Sequence, residues 1–308
     1  MIYPISYSFP AELMVSEVPL KTNHTASHSY QFDDSSSYLE NYRGAYFGKT
    51  TKRAGWDCLR HYEILSQGTI PYFPDLHLCP EKTMVSFPKH MILELNEKYY
   101  EKSFEKLQKE SSSHLHDTMN TLLWYTKENL TTEKSVESML ERAGNTKAKE
   151  ILFLTNLVPP ETDYLLSLLT HGFKKLSKGR VDCYPEFDYH YKSYPLEFTK
   201  KLYGRGFNYT RLLPDDYKTE LSKSEIERKV KNHEYDCIYL FMNEYSDTQV
   251  PIQILNTYTN SEISLICGKD CDSKKDEITG GWTTSCYHNC YLKEISHRQN
   301  LFVRELCN

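Results

Sequence analysis

No apolar run in this chain approaches the roughly 20 residues that span a bilayer. The longest, such as Ile151 to Leu154 and Tyr164 to Leu169, are only a fraction of that. The start, Met-Ile-Tyr-Pro-Ile-Ser-Tyr, lacks a basic opening followed by an apolar stretch, so no secretory leader is expected. Positive charge is not in excess either. The 37 basic and 42 acidic side chains leave a formal charge of -5, which argues against a general nucleic-acid binder. There is no internal repeat and no low-complexity tract.

What remains is the composition of a folded protein. The 308 residues are 39% hydrophobic and 26% charged, enough for a core and against wholesale disorder. At roughly 150 residues per domain, two domains are expected. The nine cysteines are odd in number and read as reduced thiols in a cytoplasmic protein. Sequons at Asn23, Asn129 and Asn208 then carry no glycan.

Along the chain, residues 1 to about 40 read as mixed and turn-rich, closing in a surface turn at Asp33 to Ser37. Gly44 to Gly48 reads as a short strand and Lys49 to Arg53 as a basic loop. A helix is expected from about Asp57 to Gln67, with Asp57 as its N-cap and Gly68 at its left-handed end. Thr69 to Phe73 is a second short strand. Strand, loop, helix and strand in close succession is the order of an α/β layer fold. Charged helices follow from Glu94 to Arg142, and Gly144 to Lys147 is the best linker. Beyond it come a strand at Ile151 to Leu154 and a helix from about Asp163. Leu165, Leu168, Leu169, Gly172 and Leu176 share one face of that helix, and His171 reads as a packed core residue. A helix at Ile226 to Asn232 precedes strands at Cys237 to Phe241 and Ile263 to Ile266. Two α/β halves result, 1–145 and 146–308.

The densest chemistry lies in Lys52-Arg53-Ala-Gly55-Trp56-Asp57-Cys58-Leu-Arg60-His61-Tyr-Glu63. A basic, glycine-containing loop entering a helix N-terminus suits an anion such as a diphosphate. Lys52, Arg53 and Arg60 would add charge, the arginines in bidentate fashion. Glu63 suits a pair of ribose hydroxyls, and Trp56 offers a flat surface. The plain alternative is a solvated helix with Arg60 and Glu63 paired one turn apart.

Arg60-x-x-Glu63-x4-Gly68-x-Ile70-Pro71 is similar to the nucleotide-binding motif of exostosin-like glycosyltransferases. Gly55-Trp56-Asp57-Cys58 with Glu63 looks like the start of the sugar-donor signature in the same two-domain (GT-B) class. The run from Tyr46 to Pro80 resembles giant-virus and bacterial members of the family. Asp163 to Gly172, Tyr191 to Pro195, Tyr203-Gly-Arg-Gly206 and Phe302 to Leu306 look like the family's acceptor-side domain, which normally comes first. The order therefore reads as a circular permutation, which compact domains tolerate when their ancestral ends are close.

The resemblance implies two Rossmann-like domains facing across a cleft. Residues 1–145 would bind the donor, through Lys52, Arg53, Gly55, Trp56, Asp57, Arg60, His61 and Glu63. Residues 146–308 would face the acceptor, with Arg205 as a cleft candidate. It implies an inverting, metal-independent transfer of a sugar from a nucleotide sugar to a glycan or other hydroxyl acceptor. Asp163 is nominated as the base and Glu161 second, Asp163 alternatively serving only as a helix cap. No cofactor is expected beyond the nucleotide sugar as co-substrate. The alternative is a catalytically inactive, transferase-derived module that binds glycan, nucleotide or protein. Two rival sites are weaker: a loose zinc set of Cys267, Cys271, Cys286 and Cys290, and a metal-binding triplet at Asp270-Cys271-Asp272, most simply a solvated turn.

Overall fold

A computed structural model describes residues 1–27, 32–110, 114–242, 252–268, 270 and 300–306. In chain order the strands are β1 (Ile2–Pro4), β2 (Asn23–Thr25), β3 (Ala45–Lys49), β4 (Ile70–Tyr72), β5 (Ile151–Thr155), β6 (Asp182–Tyr184), β7 (Cys237–Met242), β8 (Ile263–Cys267) and β9 (Asn300–Val303). The α-helices are α1 (Ser35–Arg43), α2 (Leu59–Ser66), α3 (Lys89–Tyr99), α4 (Phe104–Glu110), α5 (His114–Asn129), α6 (Thr132–Ala143), α7 (Tyr164–Ser177), α8 (Leu196–Thr199), α9 (Lys223–Lys231) and α10 (Ile252–Thr257). Among them no helix is long and apolar enough to cross a membrane.

The α/β expectation holds. Every strand pair is parallel. The strands form a three-stranded sheet, β2-β3-β4, and a six-stranded sheet, β1-β9-β8-β7-β5-β6. In the larger sheet the chain steps outward from β5 to β6, then returns across β5 to β7. Such a reversal is where open α/β sheets place ligands, beyond the carboxyl ends of the strands.

The strand sequences explain the burial. Ile151-Leu-Phe-Leu-Thr and Cys237-Ile-Tyr-Leu-Phe-Met are nearly continuous apolar runs, as a sheet covered on both faces requires. Phe153, Tyr239, Phe241 and Phe302 face α7 in one core. Leu152, Ile238, Leu240 and Leu301 face Ile226, Val230 and Ile254 of α9 and α10 in another. The first core runs without a break into the three-stranded half, through Phe47, Tyr62 and Ile70.

One local reading is revised and long-range contacts add to two others. The stretch before residue 40 contains β1 and β2; each is only three residues, too short for periodicity to mark. The division at residue 145 does not separate the sheets, because β1 is hydrogen-bonded to β9 and Met1 O accepts from Leu301 N–H at 2.9 Å. His171 is buried in the core as expected, and there Nε2 meets Glu12 Oε1 at 2.9 Å and Nδ1 meets Thr132 Oγ1 at 2.8 Å. Glu12 arrives from a turn far away in sequence, and the His171 contact helps hold its carboxyl down at about 2, against the opposing effect of burial.

The linker at Gly144 is a turn with φ +76°, capping α6 through its N–H. Asn308, whose closeness to residue 1 the permutation would require, lies outside the described residues.

Helices α6 and α7 pack where α7 presents Gly172. A Cβ there would collide with the Thr132 carbonyl oxygen and stand 2.8 Å from Val136 Cγ2. Gly172→Ala should therefore lower stability by about 1–3 kcal/mol, the usual cost of overpacking. An unchanged urea midpoint would refute this close approach.

Candidate functional site

Both sheets direct the carboxyl ends of their strands towards one cleft of about 920 Å³. From the smaller half it is lined by the loop after β3 and the first turns of α2: Arg53, Gly55, Asp57, Cys58, Arg60 and Glu63. From the larger half come Asp163 and Tyr164 at the start of α7, Tyr203 to Arg205, and Gly268, Asp270 and Arg304 after β8 and β9. The N-termini of α2 and α7 thus open into the same space. Each presents backbone N–H groups and the positive end of a helix dipole.

Helix α2 is not a solvated helix: seven of its eight residues are buried, Glu63 among them. Nor is Asp57 its cap. The helix starts at Leu59, and Cys58 occupies the cap position without a side-chain hydrogen bond. The Asp57 carboxylate is instead committed inward, accepting from Tyr7 N–H and Tyr62 O–H, each at 2.7 Å. Gly68 does take the left-handed conformation, with φ +62°.

Asp57 belongs to a buried ionic junction. Its N–H donates to Glu305 Oε1 at 2.8 Å, and its carbonyl accepts from Arg304 Nη1 at 2.5 Å. Arg304 also donates through Nε to Gly268 O at 2.9 Å, pairs with Glu305 and Asp270, and lies 4.9 Å from the centre of the Tyr7 ring. Burial pushes the Asp57 carboxyl up to about 7, while Arg304, Tyr62 and the Tyr7 amide act to lower it. Arg304 is held more firmly protonated than usual because the surrounding acids outweigh its desolvation. Gly55 is needed here for space: a Cβ would run into Glu305 Oε1 and stand 2.6 Å from Asp270 Oδ1. The glycine therefore admits two carboxylates from the other sheet, and an anion would have to sit further along, towards Arg60.

Glu63 forms a second junction. Oε2 accepts from Tyr38 O–H and Oε1 from the Asn208 amide, each at 2.6 Å. Burial raises its pKa, against those two hydrogen bonds. Asn208 is itself gripped by Ser35 of α1. It sits in a loop with left-handed backbone at Gly204, Arg205, Gly206, Asn208 and Arg211. Arg205 in that loop donates to Phe32 O at 2.8 Å and pairs with Asp33 at 3.6 Å. The loop of the larger half is thus fastened to the smaller half beside Glu63. The Asn208 sequon is buried in this contact.

Other expected residues stand apart. His61 does not line the cleft: Nε2–H donates to Trp56 O and Nδ1 accepts from Thr50 O–H, each at 2.9 Å. Burial lowers its pKa to about 3, so it is a neutral brace. Trp56 is buried against Phe73, and Lys52 lies 5.8 Å from its ring centre, both away from the cleft lining. Glu161 is exposed and accepts from Val158 N–H at 3.1 Å, outside the cleft. Asp163 lines it while capping α7 through Oδ1 on Leu166 N–H at 2.9 Å.

Of the proposed zinc set only Cys267 is described; it is disulfide-bonded, not the reduced thiol expected. Cys58, Cys79, Cys183 and Cys237 are free. Cys271, Asp272, Cys286 and Cys290 lie outside the described residues, while Asp270 is the Arg304 partner.

Compared with protein-family models, curated proteins and solved structures, the chain matches none.

The raised Asp57 carboxyl has a measurable consequence. A native acid that keeps its proton to about pH 7, against about 3.9 unfolded, binds more protons folded than unfolded between those values. Stability from this group is then intact at low pH and declines as pH rises through that window. In Asp57→Asn the decline should be shallower, because the amide does not titrate in this range, while the Tyr62 hydroxyl can turn to accept from it. Equal slopes in urea unfolding of the two proteins from pH 4 to 7 would refute it.

Proposed function

We propose that the chain is a nucleotide-sugar-dependent glycosyltransferase whose two Rossmann-like halves face each other across this cleft, in permuted order. The observation that carries the reading is the convergence of the α2 and α7 N-termini, with Arg53 and Arg60, on a single cleft. A diphosphate at the start of α2 would meet backbone N–H groups and two guanidinium side chains. Glu63 beyond it would meet the ribose, its carboxylate held in one orientation by Tyr38 and Asn208.

In the reaction, the acceptor hydroxyl gives its proton to Asp163 as its oxygen bonds to the anomeric carbon. The bond from that carbon to the nucleotide diphosphate breaks on the opposite face, inverting the centre. The helix N-termini and arginines stabilise the departing charge in this metal-independent scheme. Asp163 is preferred because it lines the cleft and Glu161 does not. Arg205 would stand on the acceptor side.

One observation favours the non-catalytic alternative. Both Glu63 oxygens already accept short hydrogen bonds, and Asp163 is engaged as a cap. A binding module would hold nucleotide or glycan without turnover.

A thermal-shift panel of UDP, GDP and their sugar conjugates tests the reading. A ligand at 100 times its dissociation constant adds about 2.7 kcal/mol of stability. We expect a clear shift with one nucleotide, weakened by about 1–3 kcal/mol of binding free energy in Arg60→Ala. Release of nucleoside diphosphate from the matching sugar conjugate marks an enzyme; a shift without release marks the binding module. No shift with any nucleotide removes both nucleotide readings.

A further inference from the structure

The cleft wall that the larger half contributes is partly aromatic. Tyr164 at the start of α7 and Tyr203 both line it, their ring centres 5.3 Å apart and tilted by 54°. Behind them Tyr164 meets Tyr209 edge to face at 5.0 Å. Single exposed apolar side chains elsewhere on a surface need no explanation. Tyr203 differs from the rest: among the exposed large apolar side chains of the described residues it alone lines the cleft, and 69% of it is open.

The backbone that presents this ring is fixed. Tyr203 O accepts from Tyr209 O–H at 2.8 Å, and Arg205 N–H donates to Leu202 O at 2.9 Å. Gly204 takes φ +57°, and a Cβ there would run into the Tyr164 hydroxyl. The chain thus turns tightly over Tyr164 and holds the Tyr203 ring in one place. The other rings of the cleft pack on one another, Phe32 with Tyr38 at 5.6 Å and Tyr38 with Phe207 at 5.9 Å. All three are partly covered, which leaves Tyr203 as the open face.

Polar groups flank that face. Thr162 and Asp163 line the cleft just before Tyr164, and Arg205 follows Tyr203 with its guanidinium engaged by Phe32 O and Asp33. A ligand ring that is apolar on its face and hydroxylated at its rim matches this arrangement. Its C–H groups would lie on the Tyr203 ring and its hydroxyls would turn to Thr162 and Asp163.

We propose that Tyr203 is the platform on which the acceptor lies, and that the acceptor is a pyranoside. The proposal rests on the transferase reading above and adds the residue that seats the second substrate. A pyranose stacked on Tyr203 brings its rim to Asp163, where a hydroxyl has to give up its proton. The ring face is what matters, not the phenol oxygen.

The test is saturation-transfer NMR on the full chain with the methyl glycosides of glucose, galactose, mannose and xylose, alone and with UDP or GDP. The unmodified chain is compared with Tyr203→Ala and Tyr203→Phe, and the nucleotide thermal shift is recorded for all three. The side chain is exposed, so neither substitution should lower the melting temperature. We expect transfer to the ring protons of at least one glycoside, about tenfold weaker in affinity in Tyr203→Ala and restored in Tyr203→Phe. The nucleotide shift should be the same in all three. Transfer to no glycoside, or transfer that Tyr203→Ala leaves unchanged, would overturn the proposal while a nucleotide shift upheld the transferase reading. A nucleotide shift lost in Tyr203→Ala would give the ring to the nucleobase and overturn it. Glycoside transfer that depends on Tyr203 without any nucleotide shift would make the ring part of a non-catalytic module and overturn the acceptor role.

Discussion

The structure turns on one buried guanidinium. Arg304 sits at the end of β9 and reaches the backbone of Asp57 in the loop after β3, so one side chain joins the two sheets. Glu305 receives the Asp57 N–H, and Asp57 receives the N–H of Tyr7 just beyond β1. Three segments far apart in sequence are thereby locked to one another in a space closed to solvent. Breaking such a network by removing one partner leaves buried charge uncompensated, which is why it holds the halves in register. The cleft inherits its shape from this lock, because Asp57 precedes the α2 N-terminus by two residues and Arg304 and Asp270 form the adjoining wall.

The opposite side of the cleft has its own fastening, at Glu63. Tyr38 and Asn208 approach that carboxylate from α1 and from the left-handed loop of residues 203–211. The two junctions differ in chemistry. One is ionic and shielded; the other is neutral donors on a single acid. A ligand entering between them encounters an acid whose charged form is disfavoured by burial on each side, Asp57 and Glu63, with Arg60 in the first turn of α2 and Arg53 in the loop before it. In the proposed reading an anion would meet the helix N-termini, Arg60 and the Arg53 side chain rather than the space beside Gly55.

The sequence made much of the scaffold legible. The apolar runs at Ile151 and Cys237 announce buried parallel strands, and Gly68 and Asp163 mark helix ends by their known preferences. Short strands such as Ile2–Pro4 escape notice, because three residues hold no period and pairing with β9 is decided three hundred positions away. The same distance hides Arg304, Glu305 and Asn208. Their residue types invite a surface reading, and only the meeting of the halves gives them their roles. Asp57 shows the limit most plainly: its type and position suit a helix cap, yet tertiary hydrogen bonds from Tyr7 and Tyr62 outcompete that local use. His61 and Trp56 share the motif but serve the loop's interior.

The most direct measurement on the cleft is a crystal structure of the chain with a nucleoside diphosphate. The account places the diphosphate at the N-terminus of α2, within reach of Arg53 and Arg60, with the ribose against Glu63. A diphosphate bound elsewhere, or one at the cleft with its ribose turned away from Glu63, would contradict it.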